Sequence, residues 1–290
     1  MADWKEMPRP EITQILRRYC IALWCVEYPD GAEQPSDADL KLCGGSAFLW
    51  QSDRAKFLVT AHHVWAEFRD RILERPGRFL IFCLDRDHAI PIFGIEPVSV
   101  DQDLDLAVLA GPGIENLKLD EKAFFRQPPY PRSEVSTGDR LALCGYPKDL
   151  RIAERPCNTI GIVYMQGSAI VGAAGLMIRM PGNPPNKFRT AAVPSLASFE
   201  LPGTSGGPVF AFRPWGIDWV GIVSESAGPP HYDVIIAPSR FISDDGKITR
   251  PPTMFLVKGN FQREEMSSRK GPNQALEPTA GRCEVHVLIL

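Results

Sequence analysis

The amino-acid sequence predicts an all-β protein, and three observations carry that prediction. Short apolar runs rich in Val, Ile, Leu and Phe recur along the middle of the chain. Clusters of Gly, Pro, Asp and Ser separate them, as turns separate strands. Long helical periodicity is scarce. Together these patterns imply a sandwich or barrels.

Taken in order, the elements begin with PEITQILRRY (10–19), where Pro10 suits a first helical position and Ile12, Ile15 and Leu16 share a face. A short helix is expected there, within a lead covering 1–17. SAFLW (46–50) and KFLVT (56–60) read as a hairpin around QSDRAK, and HHVWAEF (62–68) as a short turn of helix. Further strands are expected at RFLIFCL (78–84), LAVLA (106–110), RLALCGYP (140–147), TIGIVYM (159–165), GGPVFAF (206–212) and DWVGIVS (218–224). The stacked prolines of RQPPYPRS (126–133) oppose both helix and central strand, which marks a linker. It divides the strand-rich region into halves at 18–128 and 129–258. From Gly259 to Leu290 the chain turns polar and is expected to be a poorly ordered, mobile tail, ending in an apolar VHVLIL that packs on the surface or is an aggregation liability.

Composition bounds the function. The 290 residues are 44% hydrophobic and 23% charged, ordinary for a chain that buries a core. A net charge of -3 gives no basic excess, so no nucleic-acid partner is expected. No apolar run approaches the ~20 residues of a membrane span. The opening residues lack the basic start and apolar run of a secretion signal, so a cytoplasmic location is expected. The seven cysteines (Cys20, Cys25, Cys43, Cys83, Cys144, Cys157, Cys283) are odd in number, irregularly spaced and without a C-x-x-C pair. Buried free thiols in a reducing compartment are expected, with no metal site and no cofactor. Oligomeric state is not legible.

Three stretches could carry chemistry. In ELPGTSGGPVF (200–210), Gly203, Gly206 and Gly207 surround Ser205. Such a turn either aims the N–H groups of Gly203 and Ser205 at a developing oxyanion or is a plain glycine turn between strands. A serine hydroxyl needs a base, and TAHHVW (60–65) delivers His62 and His63 at the end of a strand. Metal binding by the adjacent pair is disfavoured, because neighbouring side chains diverge and no third ligand is evident. The base needs an acceptor for its other ring nitrogen, and DQDLDLAVLA (101–110) offers Asp101, Asp103 and Asp105. His88, His231 and His286 have no such context.

In their order of His, Asp and Ser, these stretches resemble the chymotrypsin-like (trypsin-fold) serine peptidases, between about Leu42 and Ser226. The resemblance implies two six-stranded antiparallel Greek-key β-barrels. It makes His63, after Thr60-Ala61-His62, the general base, Asp105 of Asp-Leu-Ala-Val-Leu its partner, and Ser205 the nucleophile, with Gly203 and Ser205 as the oxyanion hole. Asp101 and Asp103 are then solvated turn carboxylates. WVGIVSES resembles the strand that pairs with substrate, so Val223, Ser224, Glu225 and Ser226 are candidate substrate contacts. There are departures too. Val64 stands where secreted trypsins carry the cysteine that would pair with Cys43. Thr204 stands where zymogen-activated members carry Asp, and no Ile-Val-Gly-Gly start is present. These features suit the bacterial or intracellular branch of the family. The implied activity is endopeptidase hydrolysis of a peptide or protein substrate. The alternative is an inactive relative acting as a binding or regulatory module.

Overall fold

The computed structural model of the chain describes residues 14–27, 42–74, 79–85, 88–127, 134–146, 151–153, 158–172, 175–179, 203–226, 234–250 and 285–289. Strands β1 (Cys20–Glu27), β2 (Leu42–Gln51), β3 (Lys56–Thr60), β4 (Phe79–Asp85), β5 (His88–Ile92), β6 (Glu96–Asp101), β7 (Leu106–Ala110) and β8 (Phe125–Arg126) form one sheet in the order β5-β4-β1-β2-β3-β7-β6, with β8 parallel to β2. Strands β9 (Arg140–Gly145), β10 (Arg151–Ala153), β11 (Asn158–Gly172), β12 (Gly175–Arg179), β13 (Pro208–Arg213), β14 (Gly216–Ser226), β15 (Val234–Pro238) and β16 (Val285–Ile289) form the other. The protein is all-β in character, and apart from β2–β8 its ladders are antiparallel.

The expected pair of antiparallel β-sheets is present, each with eight strands among the described residues. In the second, β11-β12-β15-β14-β13-β9 pair in a cycle that returns from β9 to β11, with β10 and β16 added to β11. In the first, the pairings among the described residues leave β5 and β6 at open ends. Six further strands lie outside the runs read from sequence: β5, β6, β8, β10, β12 and β15. So does β1, whose alternation is hidden because both of its faces are buried.

That double burial explains the near-continuous apolar runs. In β1, Cys20, Ala22 and Trp24 join one core while Ile21, Leu23 and Cys25 join another. In β2, Phe48 and Trp50 face the first of these cores, and Ala47 and Leu49 the second. The period of two is present, but each side of the strand meets apolar partners. A third core, with Leu141, Leu143, Val209 and Ile236, belongs to the second sheet. The first-named core joins both sheets through Ala142, Phe210 and Trp219. At this junction Phe48 lies 4.5 Å from Trp219 and Phe125 lies 5.3 Å from Phe210, ring centroid to centroid. Aromatic pairs of this kind add about 0.5–1.5 kcal/mol each beyond their buried area.

Cys20, Cys25, Cys83 and Cys144 are buried thiols. Burial, with Cys20 beside it, holds the Cys144 thiol well above its ordinary range and keeps it protonated. The expected N-terminal helix is described at 14–17, and its first part lies outside the described residues. The short helical turn at His62 is instead a full helix, α1 (His62–Glu74), whose Val64, Trp65 and Phe68 are buried on the first sheet's own core. Pro112–Glu115 forms a single further turn. Residues 128–133 of the expected linker, and 259–284 and 290 of the expected tail, lie outside the described residues. The terminal apolar stretch is not merely surface-packed: Val285–Ile289 pairs antiparallel with Gly161–Met165 of β11. Its β-branched residues suit an extended strand, and β11 supplies a partner edge. Among the described residues, no helix is long and apolar enough to cross a membrane.

Candidate active site

The chain leaves β3 at Thr60 and turns into α1 across Ala61. Helix α1 has no acidic residue of its own in its first turn, so its exposed N–H groups need an acceptor from elsewhere. Asp105 supplies it: the His63 backbone N–H donates to Asp105 Oδ1 at 3.0 Å. The same carboxylate holds the His63 ring, with Nδ1 at 2.9 Å from Oδ2 and 3.0 Å from Oδ1. An ionised carboxylate only accepts, so Nδ1 carries the proton and Nε2 of the neutral ring is left as an acceptor. The His63 side chain is 52% exposed, whereas that of Asp105 is 16% exposed. The imidazole is held above its ordinary value, chiefly by the Asp105 hydrogen bond. Burial opposes this, and the charges of Asp105, Glu225 and Glu67 add to it.

Asp105 sits at φ 51°, in the left-handed region that Asp and Asn tolerate best among residues with a side chain. The tight loop before it is set by Asp101, whose Oδ1 accepts from the N–H groups of Asp103 (3.0 Å) and Leu104 (2.9 Å). Asp103 is an exposed turn carboxylate as expected, but Asp101 is not solvated. The Asp101 side chain is 9% exposed and bonded to Arg250. Arg250 also donates to Asp103 at 2.8 Å. A guanidinium 149 residues along the chain thus braces the loop that presents Asp105.

Ser205 comes from the other sheet. Gly203 (φ 97°) and Gly206 (φ 87°) hold the turn in backbone conformations that disfavour side chains. Gly206 N–H donates to Val223 O at 2.7 Å, and Val223 N–H to Gly207 O at 2.8 Å. A register shift in the β14–β15 ladder between Val223 and Glu225 leaves Ser224 in a bulge, and its hydroxyl donates to Asp105 Oδ2 at 2.8 Å. Bulges commonly re-aim a side chain in this way. The serine turn is therefore joined to the carboxylate through two consecutive residues of β14. Gly45 closes the gap from the first sheet. A Cβ there would lie 2.6 Å from Val64 Cγ2 and 3.2 Å from Ser205 O, so the residue after His63 and the Ser205 backbone pack on one glycine.

The sequence-predicted residues are thus gathered to different degrees. His63 and Asp105 touch directly. Ser205, half-buried, shares their neighbourhood, although the hydrogen bonds among the described residues include none from its Oγ to the imidazole. Of the expected substrate contacts, Val223 is buried with its backbone groups bonded to the serine turn, and the Ser224 hydroxyl donates to Asp105. Glu225 is exposed beside them, and the Ser226 side chain lies outside the described residues. His62 is half-buried. Sequence reasoning missed Ser224 as a partner of Asp105, 119 residues apart, and no local pattern announces such a bond. It also missed Ser46, although Cys-Gly-Gly-Ser stood in plain view. Among the described residues no group of three His, Cys, Asp or Glu side chains could hold a metal ion.

Residues 45–217, more than half of the chain, match the model of the trypsin-like peptidase domain, and the chain belongs to that family. Among solved structures it is similar to one titled "Crystal structure of Deg5", at 16% identity and a TM-score of 0.42 over 80% of this chain and 91% of that one. No curated protein matches the chain.

Proposed function

We propose that this protein is a serine endopeptidase that hydrolyses peptide bonds through an acyl-enzyme on Ser205. The observation that carries the reading is the doubly bonded His63–Asp105 pair, joined through Ser224 and Val223 to the turn that bears Ser205. His63 Nε2 takes the Ser205 Oγ proton as Oγ bonds to the substrate carbonyl carbon, and the carbonyl oxygen takes the negative charge. Asp105 keeps Nδ1 protonated and stabilises the imidazolium. The imidazolium returns the proton to the leaving nitrogen as the C–N bond breaks, and water repeats the sequence to release the acid.

The oxyanion is assigned to the N–H groups of Gly203 and Ser205. Thr204 O accepts from Gly207 N–H at 2.8 Å. In a planar trans peptide this turns the Ser205 N–H to the opposite side, away from that bond. One such donor is worth about 3 kcal/mol of barrier. A looser Ser–His contact in the free enzyme fits the reading, because these bonds tighten when substrate binds.

Fluorophosphonate labelling tests it. The full chain should be modified at Ser205, and Ser205→Ala should lose labelling and about 10⁴-fold or more in peptide turnover while keeping its melting temperature. A chain that stays unlabelled leaves the binding-module alternative, and a Ser205→Ala variant that still turns over peptide overturns Ser205 as the nucleophile.

A further inference from the structure

Ser46 lies in β2, fully buried, and makes an unusual number of bonds to the turn that carries Ser205. Its N–H donates to Ser205 O at 2.8 Å, and its hydroxyl donates to Gly203 O at 2.9 Å. The hydroxyl has no freedom to do otherwise, because the Tyr146 N–H donates into Oγ at 2.8 Å and leaves the proton to Gly203. Its carbonyl is fixed in turn by the Thr60 hydroxyl at 2.8 Å, from the strand that leads into His63.

These bonds have a consequence for the serine turn. Three consecutive peptide planes, 203–204, 204–205 and 205–206, each have their carbonyl held. Gly207 N–H holds the middle one from within the turn. Ser46 holds the other two, one with its hydroxyl and one with its main chain. Because the C=O and N–H of a planar peptide point in opposite directions, fixing these carbonyls fixes where the amides of Thr204, Ser205 and Gly206 point, the Ser205 donor lying in the middle plane. Glycine at 203 gives the backbone many conformations to choose from, so something outside the turn must choose one.

We propose that Ser46 is a positioning residue for catalysis: its buried hydroxyl holds the Gly203 carbonyl on one side of the 204–205 peptide and its N–H holds the Ser205 carbonyl on the other, so that the Ser205 N–H between them is pre-aligned for the oxyanion. The proposal rests on the acyl-enzyme reading above. Ser46 does not touch the reacting atoms. It acts through the turn, from the sheet that also carries His63, and so sets one half of the site against the other.

The experiment uses the full chain as wild type, Ser46→Ala, Ser46→Cys and Ser205→Ala, each reacted with a fluorescent fluorophosphonate. The labelled end point counts correctly folded sites, and the time course separates the maximal inactivation rate from the probe's half-saturation concentration. Ser46→Ala should label to the wild-type end point with a maximal rate at least ~10-fold lower, the scale on which sub-ångström misplacement acts. Half-saturation should stay within about twofold, and the pH profile should keep its midpoint, since His63 and Asp105 are untouched.

Ser46→Cys keeps the volume but offers a weak donor. It should fall between wild type and Ser46→Ala, and it carries the test if the alanine variant does not fold. A wild-type rate in whichever variant folds overturns the clamp and leaves the Ser205 reading standing. A lowered end point with a wild-type rate also overturns it, because the loss is then one of folding. A wild-type chain that does not label at all removes the hydrolase reading, and this inference with it.

Discussion

The imidazole–carboxylate pair and the serine turn are built by different means. His63 and Asp105 meet through side chains: a carboxylate that bonds one ring, one helix N–H and one hydroxyl. The serine turn is held by main chain: Gly206 N–H, Gly207 N–H and the carbonyls of Gly203, Thr204 and Ser205 all have fixed partners. In the first region, a substitution of equal size changes charge and protonation while leaving the backbone alone. In the second, the backbone is itself the device, and adding a single carbon disturbs it. Chemistry and architecture should therefore be separable in the first region and inseparable in the second.

Asp105→Asn is the larger of two tests of that contrast. Asn tolerates the φ of 51° and caps a helix as well as Asp does, so stability should change by about 1 kcal/mol or less. The amide cannot hold Nδ1 in its protonated form, and turnover should fall by about 10³–10⁴-fold. Parallel measurement of turnover and thermal unfolding checks this, and a matching loss of stability would dissolve the distinction. Gly206→Ala comes next. Its Cβ would lie 2.0 Å from Ser46 O and 2.4 Å from Thr60 Oγ1, in a conformation that already disfavours a side chain. The turn must shift, which should cost about 1–3 kcal/mol of stability together with about 100-fold in the labelling rate of Ser205. A stable Gly206→Ala protein with full reactivity would show that the turn is more forgiving than its hydrogen bonds suggest.

What could be read beforehand follows the same division. The serine turn was legible because glycines at Gly203, Gly206 and Gly207 state the backbone geometry locally. His63 and Asp105 were legible because each stands at a strand end in a motif of its own. The bonds that complete the site run between residues far apart in sequence. Asp101 looked solvated until Arg250 reached it, and the bond from the Ser224 hydroxyl to Asp105 exists only because a bulge turns that side chain. Strand β1 was hidden because both faces are apolar, and helix α1 was underestimated because Asp105, outside the helix, completes its first turn. Local conformation is written in local residues, whereas partnership across the sheets is decided by folding.

The smallest expected effect probes the charge around the pair. For His63 to act as a base it must be neutral, so activity should rise with pH along a limb whose midpoint lies above the ordinary histidine value of 6.5. Asp105 is the main cause, and Glu225 and Glu67 add to it through their charges. Glu225 is exposed and next to Ser224, so Glu225→Gln should remove one of those charges without touching the carboxylate's hydrogen bonds. Losing a negative neighbour makes protonation less favourable, and the limb should move to lower pH while the plateau at high pH stays level. Raising the salt concentration should shrink the difference between wild type and variant, because an exposed charge acts through solvent. A pH–rate profile of kcat/KM at two ionic strengths reads both effects. If the limb stays in place, the hydrogen bond to Asp105 alone sets the protonation of His63. If the plateau falls instead, Glu225 does more than supply charge, and a direct contact with substrate becomes its role.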